Sequence, residues 1–215
     1  MVKNPKNTNT TEEPTRKVIT GPRTRWSYAN VWEPKSYKGS EPKYSVSLII
    51  PKDDTETIKA IKAAIKLAYE EGLPVLKGTS KKAPPLETLS VTFYDGDKYR
   101  PDDEAYENSY YVNAKNKNAP GIVDLHKQPI TDRSEVYSGC YGRASITFYA
   151  YNTGMSKGIA CSLNHLQKVS DGDPLGGRTS AEQDFADYFD DDDDEDDDDD
   201  DEDDDDDDDD DDFLG

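Results

Sequence analysis

Apolar and polar positions alternate along most of this chain, and a single stretch breaks the alternation with a helical period. In 43–51, Tyr44, Val46, Leu48 and Ile50 fall on one face, the spacing of a half-buried strand whose successive side chains point to opposite sides. Comparable runs stand at 23–33 (containing TRWSYANVW), 88–94, 106–113, 121–125, 137–151 and 158–163. Between about 54 and 71 the period changes. Ile58, Ile61, Ile65, Ala68 and Tyr69 recur at steps of three and four, which predicts an α-helix with one buried face. Asp53 is placed to cap it with Glu56 as box partner, and Gly72 to end it. Lys59, Lys62 and Lys66 lie on the solvated side. Residues 73–87, rich in Pro, Lys and Gly, read as a loop. One helix among six or so strands predicts a mainly β domain, an antiparallel barrel or sandwich.

Alternation also sorts the aromatics. Residues 1–180 hold both tryptophans and most of the 14 tyrosines. In 137–151, Cys140, Ala144, Ile146, Phe148 and Ala150 share the inward face, so Tyr137, Tyr141, Arg143, Tyr149 and Tyr151 point outward. In 88–94, Leu89, Val91 and Phe93 point in and Tyr94 out; in 158–163, Ile159, Cys161 and Leu163 point in. Tyr44 goes with the core. Trp26, Tyr28, Asn30 and Trp32 share one face of the 23–33 strand, and either face could be inward, so this stripe is core or a stacking platform. Tyrosine is a common half-buried strand residue. Its clustering with Arg25, Lys43, Lys98, Arg100, Lys115, Lys117 and Arg143 fits something more specific. Cations that track phosphates, interleaved with rings that stack on bases, make a single-stranded nucleic-acid groove. The candidate contacts on this reading are those seven cations with Trp26, Tyr28, Trp32, Tyr94, Tyr111, Tyr137, Tyr141, Tyr149 and Tyr151.

Charge divides the chain sharply. Of 47 acidic residues, 26 lie after residue 180, and every position from Asp190 to Asp212 is Asp or Glu. The first 180 residues keep all 26 basic residues against 21 acidic ones, net +5, although the whole chain is −21. A run of like charges this long repels itself and has no apolar surface to offset the ordering entropy, so the tail is predicted to be disordered, with an electrostatic or docking role. The start, MVKNPKNTNTTEEP, has no apolar core of a secretory signal, and no apolar run nears the roughly 20 residues of a membrane span. The two cysteines, Cys140 and Cys161, are expected to be buried thiols in a reducing compartment. A soluble cytoplasmic protein is the expectation.

Catalytic chemistry is hard to find. Asp95, Asp97, Asp102, Asp103 and Glu104 could hold magnesium in a nuclease, but they sit among turn residues and read better as a solvated loop. No phosphate-binding glycine loop is present. His126 and His165 have no recognisable nucleophile or ligand partner, so neither a metal, a cofactor nor a catalytic residue is expected.

The segment VYSGCYGRASITFYAYNTGMSKGIACSLNHLQKVSDGDPLGGRTSAEQDF, residues 136–185, resembles the C-terminal half of single-stranded-DNA-binding proteins of tailed bacteriophages. RWSYANVWEP and the acidic C-terminus extend the resemblance over most of the chain. It implies an OB-fold, a five-stranded antiparallel barrel with the 54–71 helix packed on it, spanning 16–170. A flexible 1–15, a linker at 171–189 and the acidic tail at 190–215 flank it. It also implies binding of single-stranded DNA in replication and recombination, in the cytoplasm of an infected bacterial host, without enzymatic activity. The tail would compete for the groove and recruit a polymerase or helicase, and Phe213 and Leu214 match the apolar ending by which such tails dock. Two other readings remain: an acidic chaperone that binds basic proteins through its tail, and a metal-dependent nuclease using the 95–104 carboxylates.

Overall fold

The computed structural model describes residues 15–36 and 39–176, which lie in a unit running to Arg178. Five long strands carry the architecture: β2 (Arg25–Lys35), β3 (Lys43–Pro51), β6 (Ser109–Asn116), β8 (Tyr141–Asn152) and β9 (Lys157–Ser170). They pair in the order β2–β3–β6–β9–β8, and β8 returns to β2, so the sheet closes on itself. Closure is thin at two seams. Arg25 opposite Tyr141 joins β2 to β8, and Ala114 opposite Cys161 joins β6 to β9. The second seam is parallel, which corrects the expectation of a purely antiparallel barrel. This is an OB-type barrel.

Four short strands decorate it: β1 (Lys17–Ile19) on β8, β4 (Ser90–Val91) and β7 (Gly121–Val123) parallel to β9, and β5 (Phe93–Asp95) on β6. The sequence pattern missed β1, which is too short to show a period. It also placed the last strand at 158–163, whereas β9 continues to Ser170.

Helix α1 (Thr55–Glu71) lies where the periodicity put it, and Ile58, Ile61, Ala64, Ile65 and Ala68 are buried. It packs on β1 and β8. Its cap is Asp54, whose carboxylate accepts from the Thr57 N–H at 3.1 Å, and not Asp53. Asp53 instead forms a paired contact with Arg23 at 2.8 Å and 3.0 Å. Gly72 ends the helix without a left-handed backbone; it is needed because a Cβ there would collide with Ala150 on β8. A short helix, α2 (Leu73–Lys77), follows and buries Leu76, where a loop was expected.

The core fills the barrel. Trp26, Val46, Leu48, Ile50, Val112, Ala114, Ala144, Ile146, Phe148, Ile159 and Leu163 are all buried there. Cys140 and Cys161 are buried free thiols, as alternation predicted, and burial pushes both thiol pKa values up. A smaller second core forms outside the sheet. Helix α3 (Gly96–Tyr99) and the 3-10 turn Glu104–Tyr106 fold back over β3 and β6, so Ile49, Tyr106 and Tyr111 pack together.

Candidate nucleic-acid interface

A β-bulge in β2 decides which aromatic faces outward. Ser27 pairs with Ser47 and Asn30 with Ser45, so Tyr28 and Ala29 together oppose the single residue Val46. The extra residue inverts the alternation beyond it. Trp26 and Val31, an odd number of positions apart, therefore both reach the core. Tyr28 takes a left-handed backbone, φ +48°, and the residue is 56% exposed.

The Trp26 reading is thereby resolved: at 0% exposure it is core and offers no face to a base. Trp32 is partly buried, donates from Nε1 to the Val136 carbonyl at 3.0 Å and packs on the core. Tyr111, at 6% exposure, is covered by the second core, because the outer face of β6 is not free where α3 crosses it. None of these three is an open stacking platform.

The outer faces of β2, β3, β6, β8 and β9 bound two open cavities of about 580 Å³ each, and both include Lys43, Asn113 and Lys115. They form one groove. One half is lined by Tyr94, Tyr149, Tyr151 and Lys117, with Thr92, Asn116 and Ser162. The other half is lined by Tyr28, Arg100, Lys35, Asn30, Ser45 and Ser47. Tyr149 is 39% exposed. Tyr94 stacks on Tyr111 with ring centres 5.1 Å apart, and burial followed by the neighbouring Tyr111 raises its phenol pKa. Lys117 pairs with Glu41 at 2.7 Å, a solvent-exposed contact that a phosphate could displace.

Other expected contacts lie elsewhere. Arg25 stands over the Tyr141 ring at 5.4 Å and donates to the Gly139 and Asp173 carbonyls, the latter at 2.8 Å. Tyr137 donates to Asp171 and Gly172; burial, then the Asp171 carboxylate, pushes its phenol up to about 12. These residues fasten the segment after β9 to the barrel end. The Leu175 N–H donates to Ser138 O at 2.7 Å, and its side chain packs on the second core. Residues 171–175 are thus bound to the barrel, although they fall in the stretch 171–189 expected to be a linker. Arg143 is exposed on β8 near Thr20, and Lys98 lies on α3 over the Tyr99 ring; neither lines the groove. Phe213 and Leu214, and the acidic tail with them, lie outside the described residues.

Sequence reasoning passed over Lys35, Asn30, Ser45, Ser47, Asn113 and Asn116. A signal for some of them was present. Once Val46, Leu48 and Ile50 are inward, Lys43, Ser45 and Ser47 form a polar stripe on the outer face of β3.

The acidic cluster is arranged for turn structure. Lys52 Nζ lies 2.8 Å from Asp95 and 2.6 Å from Asp97, Asp97 also accepts from the Asn108 N–H, and Asp103 accepts from the Ala105 N–H. Among the described residues, no three His, Cys, Asp or Glu side chains converge to hold a metal ion. No helix among them is long and apolar enough to cross a membrane.

The fold has known counterparts. A family described as the ssDNA-binding protein of Enterobacter phage Enc34 matches residues 16–206. The protein p50 of Acyrthosiphon pisum secondary endosymbiont phage 1 is 31% identical over 172 residues, covering 76% of this chain and 89% of that one. The structure of the single-stranded DNA-binding protein from bacteriophage Enc34 in complex with ssDNA matches with a TM-score of 0.63 at 25% identity, covering 74% of this chain and 88% of that one. The fold also matches gp2.5, the single-stranded DNA binding protein of bacteriophage T7, with a TM-score of 0.53 at 14% identity over 76% of this chain and 97% of that one. The chain belongs to the Enc34-type family of phage single-stranded-DNA-binding proteins. That family consists of binding proteins, not enzymes.

Proposed function

We propose that this protein binds single-stranded DNA without sequence preference in the groove across β3 and β6, serving phage DNA replication and recombination in the cytoplasm of the infected cell. The observation that carries this is the groove itself. Lys35, Lys43, Lys115 and Lys117 run beside Tyr28, Tyr94, Tyr149 and Tyr151, in a chain of this family. Lysines follow a phosphate backbone in any sequence, and rings accept any base face; duplex DNA presents no such faces.

The tail has a second part in this reading. Its 23 consecutive carboxylates, Asp190–Asp212, are tethered to a cationic body, at an effective concentration of roughly millimolar order. It competes with DNA for the groove, losing to a long strand because it has no bases to stack. Once displaced, Phe213 and Leu214 are free to dock on a basic, apolar pocket of a polymerase or helicase.

Titration of labelled oligo-dT with intact protein and with protein lacking residues 186–215 tests both parts. The expected result is saturable binding without consumption of DNA, tightened by tail removal, most at low salt where screening is weakest. Absence of saturable binding would refute the binding reading. Equal affinity of the two forms at low salt would refute the competitor role alone.

A further inference from the structure

Arg100 has the chemistry of a phosphate contact, but its surroundings already occupy it. Its Nη1 donates to the Tyr28 hydroxyl at 3.1 Å and lies 3.6 Å from the Asp103 carboxylate. Its Cζ stands over three rings, 5.1 Å from the centre of Tyr28, 4.7 Å from Tyr106 and 5.7 Å from Tyr111. A guanidinium is a planar fork with a delocalised charge. Here Asp103 answers part of the charge and three tyrosine rings flank the group, whose side chain is 32% exposed.

Tyr28, its partner, sits at φ +48°. A bulky residue at positive φ is uncommon, and such strain persists only where the surroundings over-determine it. Three ties do so here. The Asn30 amide donates to the Tyr28 carbonyl at 3.1 Å, the Ala29 N–H donates to the Ser138 hydroxyl at 3.0 Å, and Arg100 holds the phenol. All this fixes in place a residue that remains 56% exposed and lines the groove.

We infer that Arg100 is a positioning residue. It caps one face of Tyr28 and locks the ring so that the opposite face receives a base of the bound single strand. The product is a stack of guanidinium, phenol ring and base, in which the cation contact to the ring is made before DNA arrives. Ordering the ring in advance lowers the entropic cost of stacking on it. The inference rests on single-stranded-DNA binding in this groove.

The test is oligo-dT affinity as a function of salt for wild type, Tyr28→Ala, Arg100→Gln, Arg100→Lys and the double variant Tyr28→Ala/Arg100→Gln, with unfolding midpoints recorded for each. Tyr28→Ala and Arg100→Gln are each expected to weaken binding by roughly ten-fold, the scale of one lost base stack. The double variant should be little worse than either, because both remove one unit. Arg100→Lys should fail like Arg100→Gln, since an ammonium keeps the charge but not the plane. The log–log salt slope should stay at the wild-type value in all of them. A slope lowered by about 0.7 in Arg100→Gln, together with wild-type binding by Arg100→Lys, would make Arg100 a phosphate contact and overturn the inference. Losses that simply multiply in the double variant would also overturn it. If Arg100→Gln loses its fold, Arg100→Lys decides the matter by the same criteria. Wild-type protein that fails to bind oligo-dT would remove the underlying reading and this inference with it, a result separate from altered slopes in a protein that does bind.

Discussion

Trp26 packs directly against Gly142: a Cβ at position 142 would stand 2.9 Å from Cη2 of the indole and nearer still to Cζ2 and the Gln167 carbonyl. The first strand of the barrel thus drives its largest side chain onto the one residue of β8 that yields space. Trp26→Ala should destabilise the domain by about 3–5 kcal/mol, as large-to-small core changes do. Gly142→Ala should also destabilise it, by overpacking. Urea unfolding reads both; a Trp26→Ala protein of wild-type stability with weakened DNA binding would contradict the core assignment.

Tyr149 is the opposite case. The residue is 39% exposed, lines the groove and lies outside the core. Tyr149→Ala should cost about 1–3 kcal/mol of oligo-dT binding while leaving the unfolding midpoint nearly unchanged. Anisotropy titration and thermal melting of the same preparation separate the two effects.

Salt dependence distinguishes groove cations from those elsewhere. Lys43→Gln and Lys115→Gln should each lower the log–log salt slope by about 0.7, since both residues line the shared middle of the groove. Arg143→Gln should leave it unchanged, because Arg143 stands toward β1 and beside Thr20. Equal slope changes in all three would show that diffuse charge, not the groove, governs binding.

The Lys52–Asp97 contact predicts a feature of acid stability. The hydrogen bond from Lys52, and after it the Asn108 N–H, hold the Asp97 carboxyl below the usual range. A carboxyl with a depressed folded-state pKa contributes stability above its unfolded pKa, near 3.9, and that contribution disappears as pH falls through the folded value. Asp97→Asn should therefore be less stable than wild type at neutral pH, with the difference shrinking below about pH 4. Melting temperatures from pH 2 to 7 check this; a gap independent of pH would point to geometry alone.

Both thiols are buried, with raised pKa values caused by burial. Alkylation of the native protein at pH 8 should be slow at Cys140 and Cys161 alike, and fast once urea unfolds the chain. Rapid modification of either in the folded state would show that the barrel opens around that residue.

Much of this was legible because it depends on local periods. The helix at 54–71, the inward stripes of β3 and β8 and the buried cysteines follow from whether apolar residues recur every second or every third to fourth position. That signal needs no knowledge of neighbours. The segregation of charge between body and tail is likewise a property of the chain alone, as is the family resemblance carried by residues 136–185.

What the sequence could not reveal depended on the pairing of distant segments. Whether Trp26 or Tyr28 faced the core turned on a bulge, and a bulge exists only in relation to the strand opposite, here Ser45 and Ser47 against Asn30 and Ser27. Tyr111 is outward by alternation yet buried, because α3 and the turn at Glu104–Tyr106 fold back over it. Arg25 and Arg100 look alike as cations in the sequence. Tertiary contacts fasten the first to the segment after β9 and surround the second with tyrosines. Alternation determined which residues could face outward; only the folded barrel decided which outward faces remain open, because covering them takes segments far apart in the chain.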